Sequence, residues 1–513
     1  MAADGDVAGP EWRVHPHQRG PGVGGGAAVW GPALVGVAVF TLLAWVVVPA
    51  TAEHFGADIY NRYFLRLLEG RFDLPVRVLR YEGHYTPDGQ GFLYHGIAPL
   101  LTRLATHWVV DLRQTSLAGP SIWFWAVVGT ALWHVAMSQV LTSSFTGEAA
   151  VHSILQGIVG AAIWFGGPGL LLVSNHSLYQ EPIAIAYAMG AGVGLLLTRI
   201  VFFAMAPGRV LIIMAVLAGI TVHARPNVAV GLYVVVVGLA ALCLIREPRR
   251  SWPTVSAAML LLAAFGLLLL ALNSVRFGEA LAVHGSFDQG SVQYGAVFWG
   301  WETADGPRAA AWTEHGFFNV RRILPNLFIY SFDVPVSDWM LRLFQAWTSD
   351  LGFIFVEGPR MGMIFLWPIW IVLAALGLRA KELRHPAALI GAAGFLAAFL
   401  MMLSYAQVSL RFKADLWGLV GLLSVFGLAQ FGRWCGPSSR ENLCSPEKQK
   451  VIGKSMLALI FAGVAFTLIT AAVYSQSLSL KYSFFAPWSE QVCAEKAATK
   501  GLDPVRVEQL CRL

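Results

Sequence analysis

Runs of about 20 consecutive apolar residues recur along the chain, and this repetition constrains the fold more than any single motif does. A helix needs about 20 apolar residues to cross the hydrocarbon core of a bilayer. Only 13% of the 513 residues are charged, whereas a soluble domain carries about 25%. We therefore expect an all-α fold, a polytopic membrane bundle of about eleven transmembrane helices in which the fifth is short. The predicted spans are Ala28–Ala50, Ile122–Thr142, Ala150–Val173, Glu181–Met205, Val210–Thr221, Val228–Ile245, Val255–Leu272, Met361–Leu378, Ala387–Leu403, Ala414–Phe431 and Val451–Val473.

The positions of Lys and Arg give this bundle an orientation. If the N-terminus is cytoplasmic, alternation of the spans places the basic segments Arg246–Trp252, Arg379–Pro386 and Arg433–Lys450 in the cytoplasm, which agrees with the positive-inside rule. The C-terminus then faces outward. The net charge of +6 is accounted for by such loops, and no run of basic residues indicates a nucleic-acid partner.

The same alternation divides the chain into three parts and sends its long polar segments outward. The parts are a disordered cytoplasmic tail (1–27), a transmembrane domain (28–474) and a short outer tail (475–513). Two long outer loops, 51–120 and 273–360, contain amphipathic stretches that we expect to form helices along the membrane interface. In the first, Ile59, Tyr63, Phe64, Leu67 and Leu68 share one face; in the second, the helices are expected at Phe317–Tyr330 and Ser337–Trp347. Cys493 and Cys511 both fall in the outer tail, where a disulfide is permitted.

Two acidic residues near span ends are candidates for chemistry. Asp58 follows the first span, where partial burial would raise the pKa of its carboxyl group toward that of a general base; the alternative is that it caps an amphipathic helix. Glu181 lies in the short loop SNHSLYQEP and is either solvated at the interface or part of the same site. If the two carboxylates meet, they could share a divalent cation such as Mg²⁺ or Mn²⁺.

Basic residues occur at two further span ends. Arg225 follows His223 in TVHARPNVAV, and Arg411 and Lys413 lie in SLRFKADLW. A guanidinium group suits phosphate binding, although an Arg near a membrane boundary also reaches lipid headgroups for purely physical reasons. The same alternatives apply to Arg321, which we place on an interfacial helix.

Two histidines, His84 and His95, flank the turn TPDGQG in the first outer loop. The Pro-Asp-Gly chemistry of the turn explains Asp88 and Gly89, but it gives no role to either histidine.

The order of these short motifs resembles that of the bacterial GT-C integral-membrane glycosyltransferases, in the protein-mannosyltransferase-like and aminoarabinose-transferase-like group. The resemblance covers most of 28–432 and departs from the family in having Glu as its second acid and no C-terminal domain. The matching motifs are DIYNRYFLRLLEG with Asp58 and Tyr60, a DGxxY…P line at Asp88, Gly89, Tyr94 and Pro99, Glu181-Pro182, Arg225-Pro226, Arg321–Tyr330, and Arg411, Phe412 and Asp415.

This resemblance implies a function on the outer (periplasmic) face of a bacterial inner (plasma) membrane. The donor would be a sugar on a polyprenyl phosphate, and the acceptor a hydroxyl of a cell-envelope glycan, lipid or protein. Transfer would proceed with inversion and, in some members, with a divalent cation. The roles implied are catalysis for Asp58 and Glu181 and donor-phosphate binding for Arg225, Arg411 and Lys413. Tyr60, His84, His95, His223 and Arg321 are candidates for substrate binding, although His84 and His95 match no motif of the family.

Other classes of membrane protein remain open. A secondary transporter would show inverted repeats and broken spans, and the sequence shows no internal repeat. A membrane acyltransferase would favour a His–Asp motif. An O-antigen-ligase or polymerase-type transferase would favour one dominant outer loop with Arg and His, and the histidine-containing loops keep that alternative open.

Overall fold

The computed structural model describes residues 26–145, 149–282, 284–288, 291–335, 338–352, 354–435 and 446–511. The predicted disordered tail, 1–27, lies outside these residues apart from its last two positions. Within the described part of the chain, nine helices are long and apolar enough to cross a membrane, and two shorter apolar helices accompany them. Each of the eleven predicted spans corresponds to one of these helices, so the prediction of an all-α polytopic membrane bundle is confirmed.

The helices follow one another along the chain from the first span to the C-terminal segment. They are α1 (Ala27–Leu42), α2 (Val48–Thr51), α3 (Ile59–Leu68), α4 (Val76–Leu79), α5 (Leu100–Thr106), α6 (Ala118–Ser144), α7 (Ala149–Gly166), α8 (Pro168–Val173), α9 (Gln180–Phe202), α10 (Leu211–Val222), α11 (Pro226–Arg246), α12 (Pro248–Phe277), α13 (Gly295–Phe298), α14 (Pro307–His315), α15 (Ile323–Phe332), α16 (Trp339–Trp347), α17 (Met363–Leu366), α18 (Pro368–Gly377), α19 (Pro386–Leu403), α20 (Lys413–Cys435), α21 (Pro446–Tyr474), α22 (Glu490–Thr499) and α23 (Pro504–Cys511). A π-helical turn, Leu43–Val47, joins α1 to α2, and 3₁₀ turns lie at Arg80–Glu82, Pro207–Arg209, Val320–Arg322, Ser349–Leu351 and Lys381–Arg384. Five short strands are β1 (His84–Tyr85), β2 (Gly91–Phe92), β3 (Gln293–Tyr294), β4 (Phe355–Val356) and β5 (Gln407–Val408).

Proline divides two of the predicted spans into two helical pieces each. The third span consists of α7 and α8, and the eighth consists of α17 and α18. Pro168 and Pro368 begin the second pieces, because proline fits the first turn of a helix but clashes with the preceding turn inside one.

Helix α9 is the centre of the bundle and is buried along most of its length. Its main neighbour is α6, and a Cβ atom added at Gly194 of α9 would lie 2.6 Å from the Trp133 ring of α6. Small residues allow transmembrane helices to approach this closely. The close packing fixes the N-terminal end of α9, where Glu181 lies.

One end of the bundle carries a layer that we call the cap, made of residues 52–117, 278–362 and 475–511. Strand β1 pairs with β2 and with β3, so the two long loops share one antiparallel sheet. The backbone N–H of Leu480 donates to the Glu53 carbonyl, which joins the C-terminal segment to the first loop. A second contact, the parallel pairing of β4 with β5, ties the second loop to the start of α20.

The cap contains the amphipathic helices expected from the sequence, with changed limits. Helix α3 buries Ile59, Tyr63 and Phe64 as predicted, whereas Leu68 at its end is 65% exposed. In the second loop, the stretch predicted as one helix over 317–330 is a 3₁₀ turn followed by α15. The helix predicted over 337–347 is α16. Its expected first residue, Ser337, lies outside the described residues.

The C-terminal segment is held together by a disulfide between Cys493 of α22 and Cys511 of α23. Both cysteines are buried against the first loop of the cap. The described residues after α21 are therefore a folded part of the cap.

Candidate functional site

Asp58 lies at the start of α3, on the side of the cap that solvent reaches. Its carboxylate accepts a hydrogen bond from Arg62 Nε at 2.6 Å, and 43% of the side chain is exposed. It occupies the N-cap position but makes no side-chain capping hydrogen bond. The carboxylate is therefore half-solvated and paired within its own helix.

Glu181 lies in a different environment, fully buried in the first turn of α9. It forms an ion pair with Arg103 of α5, which is also fully buried. Arg103 Nε also donates to Asn61 Oδ1 at 3.0 Å, and Asn61 lies one helical turn from Asp58. In the described structure no hydrogen bond or ion pair joins Asp58 to Glu181 directly, and the two are connected only through Asn61 and Arg103.

The predicted phosphate-binding residues converge where α11 and α20 reach the cap. Arg225 pairs with Asp415, its Nε lying 3.1 Å from Asp415 Oδ2. Arg411 Nη1 donates to Glu357 Oε1 at 2.6 Å. The guanidinium groups of Arg225 and Arg411 lie 4.8 and 5.1 Å from the centre of the same Phe412 ring.

Lys413, the third predicted phosphate-binding residue, is buried two residues further on. Its Nζ lies 4.9 Å from the centre of the Tyr330 ring. The structure thus places two cations on one aromatic ring and a third nearby, each held by protein groups.

A residue that the sequence did not single out, Glu82, also interacts with these cations from the cap side. It ends the 3₁₀ turn before β1, interacts with the Tyr179 hydroxyl and senses the charges of Arg308 and Arg411. Burial raises the pKa of the Glu82 carboxyl group above its usual value, although Tyr179 and the two arginines oppose the change. Part of the Glu82 side chain remains accessible.

We call the place where these side chains meet the recess. Tyr94 and Tyr405 also keep some accessible surface. The side chains that act on one another electrostatically there are Glu82, Tyr94, Tyr179, Tyr294, Arg308, Glu357, Tyr405 and Arg411. Burial raises the pKa of all four tyrosines, so their hydroxyl groups stay neutral and can both donate and accept hydrogen bonds.

The pKa of Arg411 is also raised. Burial disfavours its charged form, but Glu357 and the surrounding tyrosines more than compensate. Arg308 Nη1 donates to the Tyr294 hydroxyl at 3.1 Å. The recess therefore combines two carboxylates, Glu82 and Glu357, with permanent cations and neutral hydroxyl groups.

The histidines of the first loop have structural partners. His84 Nδ1 accepts a hydrogen bond from the Gly285 backbone N–H at 2.8 Å, and its ring lies 4.3 Å from that of His284. His95 stacks near Tyr94, with ring centroids 4.0 Å apart. Burial lowers the pKa of His84 and His95 well below the usual value and that of His284 to about 4. All three are neutral at neutral pH, and His84 joins the two loops of the cap.

The remaining predicted residues lie outside the recess. His223 Nε2 lies 3.1 Å from the Phe265 carbonyl, and Arg321 forms an exposed ion pair with Asp350. Tyr60 is buried with its ring 5.8 Å from the Arg103 guanidinium.

The fit of a divalent cation can be judged from the donor groups. Among the described residues, no group of three or more His, Cys, Asp or Glu side chains is placed to hold a metal ion. Asp58 and Glu181, the pair considered from the sequence, have separate arginine partners. The residues present do not fit a cation held by this pair.

Two apolar cavities lie on the bundle side of the arginine pairs. One, of about 10 Å³, is lined by Arg411, Gln180, Tyr474 and apolar residues of α8 and α20. The other, of about 20 Å³, lies beside Asp415 and Trp417. Each is about the size of one water molecule.

Comparisons with protein-family models, with curated proteins and with solved structures each return no match.

Proposed function

We propose that the protein is a GT-C-type glycosyltransferase of the bacterial plasma membrane, moving a sugar from a polyprenyl-phosphate donor to an acceptor hydroxyl on the outer face. One observation carries this proposal. The enclosed carboxylate of Glu82, with its raised pKa, faces the same recess as Arg308 and Arg411.

An acceptor hydroxyl must lose its proton as it attacks the sugar. A general base works best when its pKa is close to the operating pH, and burial is the usual way to raise that of a carboxyl group. Burial shifts the pKa of Glu82 in this direction, and Tyr94, Tyr179 and Tyr405 offer neutral hydroxyl groups to a sugar. We assign the base to Glu82 and keep Asp58, half-exposed and paired with Arg62, as the alternative base.

The leaving polyprenyl phosphate gains negative charge as the glycosidic bond breaks. Guanidinium groups bind phosphate with two parallel hydrogen bonds, and fixed cations stabilise charge that develops in the transition state. Arg225 and Arg411 are suited to this role because they flank Phe412 at the ends of membrane spans, at the depth of a lipid phosphate. Their pairing with Asp415 and Glu357 holds them in place before the donor arrives.

The proposal also includes the side of the membrane on which the site lies. The basic loops favour a cytoplasmic N-terminus, which puts the cap outside. The Cys493–Cys511 disulfide in the cap agrees, because disulfides persist in oxidising compartments. The acceptor would be a cell-envelope glycan, lipid or protein.

The test is transfer from lipid-linked sugars by the protein in nanodiscs, comparing wild type with Glu82→Gln and Asp58→Asn. Loss of a general base lowers the rate by about 10²–10⁴-fold, and we expect that loss in Glu82→Gln and a smaller effect in Asp58→Asn. A large loss in Asp58→Asn alone would move the base to Asp58. Full activity in both variants would contradict the proposed mechanism.

The broken spans favour a secondary transporter as the second candidate, because transporters bind substrates at discontinuous helices near the bilayer midplane. Helix α8 has only six residues, or about 9 Å at 1.5 Å per residue, so its break lies near the cap and away from the midplane. Solute uptake by proteoliposomes, with no sugar transfer from any lipid-linked donor, would favour the transporter.

A further inference from the structure

Arg80, two residues before Glu82, has an unusual backbone conformation. Its φ is +48° and its ψ is −123°, a combination that residues with a Cβ atom rarely adopt. Such conformations persist only where surrounding contacts enforce them, and they concentrate at functional sites. Arg80 is only 1% exposed, so its side chain contacts protein groups rather than solvent.

The contacts that enforce this conformation come from the C-terminal segment. The two terminal nitrogens of Arg80 donate to the carbonyls of Phe484 and Ala486. One turn earlier, Arg77 Nε donates to the Trp488 carbonyl at 2.9 Å, and the Trp488 N–H donates back to the Arg77 carbonyl at 3.2 Å. Residues 484–488 therefore lie alongside residues 77–80 and are hydrogen-bonded to them.

Tyr81, between Arg80 and Glu82, is enclosed by the same segment. Its ring stacks on Phe484 at 5.7 Å and meets the edge of Trp488 at 5.3 Å. Lys496 Nζ of α22 lies 5.5 Å from the centre of the ring.

The opposite side of the turn is held by its backbone. The Tyr85 hydroxyl donates to the Arg80 carbonyl at 2.6 Å, and the Gly295 N–H donates to the Gly83 carbonyl at 2.7 Å. A Cβ atom at Gly295 would meet the carbonyl oxygens of Arg80, Tyr81 and Gly83 within 2.8 Å. The turn that carries Glu82 is thus fixed from both sides.

The last two helices of the C-terminal segment are joined by the disulfide. Cys493 and Cys511 link α22 to α23 across 18 residues. From α23, Arg506 Nη2 donates to Asp88 Oδ2 at 2.6 Å, and Leu510 packs beside Gly89. Both ends of the 77–89 stretch therefore contact the C-terminal segment, one through residues 484–488 ahead of the disulfide loop and the other through α23 inside it.

We propose that Arg80 is a positioning residue and that segment 475–511, whose last two helices the disulfide joins, is a clasp that holds the turn carrying Glu82 in place. The inference rests on the proposed function for Glu82 as base. The charged groups that act on Glu82 from other segments are Arg308 of α14, Glu357 after β4 and Arg411 after β5. Arg80 of its own turn also acts on it, as do Tyr94, Tyr179, Tyr294 and Tyr405. Release of the clasp moves Glu82 away from these groups and toward water.

The test uses the full-length protein in nanodiscs with three cap variants. Arg80→Lys keeps the charge but loses the two-carbonyl contact, the Cys493→Ala/Cys511→Ala pair opens the clasp, and Arg506→Gln loosens α23 without touching the core. Cys243→Ala is the matched control, because Cys243 is a free buried cysteine of α11.

Two measurements test whether segment 475–511 holds the turn that carries Glu82. Amide hydrogen exchange of residues 78–85 should rise in the three variants and stay at the wild-type level in the control. In sugar transfer, kcat should fall by about 10- to 100-fold, since small displacements of a catalytic group have effects of that size, while KM for the donor stays within about threefold. The acidic limb of the pH–rate profile should move to lower pH because water reaches Glu82, a change that general loss of stability would not cause.

Wild-type exchange of residues 78–85 in the variants, or wild-type kcat with an unchanged pH profile, would overturn the clasp. Where the cysteine variant does not fold, Arg80→Lys and Arg506→Gln decide the question. If the wild-type protein transfers no sugar, the proposed function fails, and the exchange measurement still tests whether the C-terminal segment holds the turn.

Discussion

The buried ion pair between Arg103 and Glu181 offers a test of the cap in terms of stability. Both side chains are almost fully buried, with 0% and 1% exposed. Arg103 also donates to Asn61 Oδ1 at 3.0 Å and to the Pro99 carbonyl at 3.1 Å. The replacement Arg103→Ala removes all of these bonds and leaves a carboxylate without a partner at the end of the bundle.

The expected loss follows from these contacts. Removing one partner of a buried pair costs about 3–5 kcal/mol, and the lost bond to Asn61 adds about 1 kcal/mol. We therefore expect Arg103→Ala to lower the free energy of unfolding by about 4–6 kcal/mol. The double variant Arg103→Met/Glu181→Leu removes both charges, and we expect it to lie within about 2 kcal/mol of wild type because apolar groups often replace such pairs at little cost.

Reversible unfolding in mixed micelles, followed by tryptophan fluorescence, measures these differences. Arg62→Ala is the matched control, since the Arg62–Asp58 pair lies on the same loop but is half-exposed and should contribute less than about 1 kcal/mol. A loss below about 1 kcal/mol in Arg103→Ala would refute the reasoning. A double variant that is less stable than Arg103→Ala would also refute the reasoning.

Three further predictions concern the cap and the bundle. The cap should lose stability as pH falls from about 6.5 to about 4. Burial lowers the pKa of folded His284 to about 4, so the unfolded chain binds more protons than the folded chain in that window. His284→Phe should flatten this pH dependence in thermal unfolding, and an unchanged slope would contradict the prediction. Gly194→Leu should destabilise the bundle by about 1–3 kcal/mol, because the new side chain clashes with Trp133. Unfolding in micelles measures this loss, and a stability equal to that of wild type would exclude the close approach of α6 and α9. Arg411→Lys should lower kcat/KM for a lipid-linked sugar by about 10- to 100-fold, because lysine cannot form the two-pronged contact with phosphate, and an unchanged value would remove Arg411 from the donor site.

The bundle could be predicted because the length of an apolar run is read directly from the sequence. All eleven spans have helical counterparts, and the breaks in two of them occur at Pro168 and Pro368. Those breaks were not predicted, because proline does not always end a helix: Pro32 and Pro253 lie inside α1 and α12.

The candidate site was harder to predict because it depends on contacts between distant segments. Arg225 and Arg411 lie at span ends, which the sequence reveals, and the fold brings both to Phe412. Glu82 has no local signal beyond its place in a polar loop. Its environment arises from Tyr179, Arg308 and Arg411, and these come from three separate parts of the chain.

The same limit applies to His84. Its partner Gly285 lies 201 residues away, so no local pattern could give its role. Asp58 was recognisable as a helix-start acid, and its partner Arg62 lies only four residues away, a spacing at which side chains of one helix meet.

The most direct test of the central claim is the single-turnover rate of sugar transfer by Glu82→Gln with a saturating polyprenyl-phosphate sugar. The glutamine keeps the shape of the side chain and removes its ability to accept a proton from the acceptor. We predict a rate at least about 100-fold below that of wild type, with donor affinity within about threefold. A rate equal to that of wild type would show that Glu82 is not the base and would contradict the account.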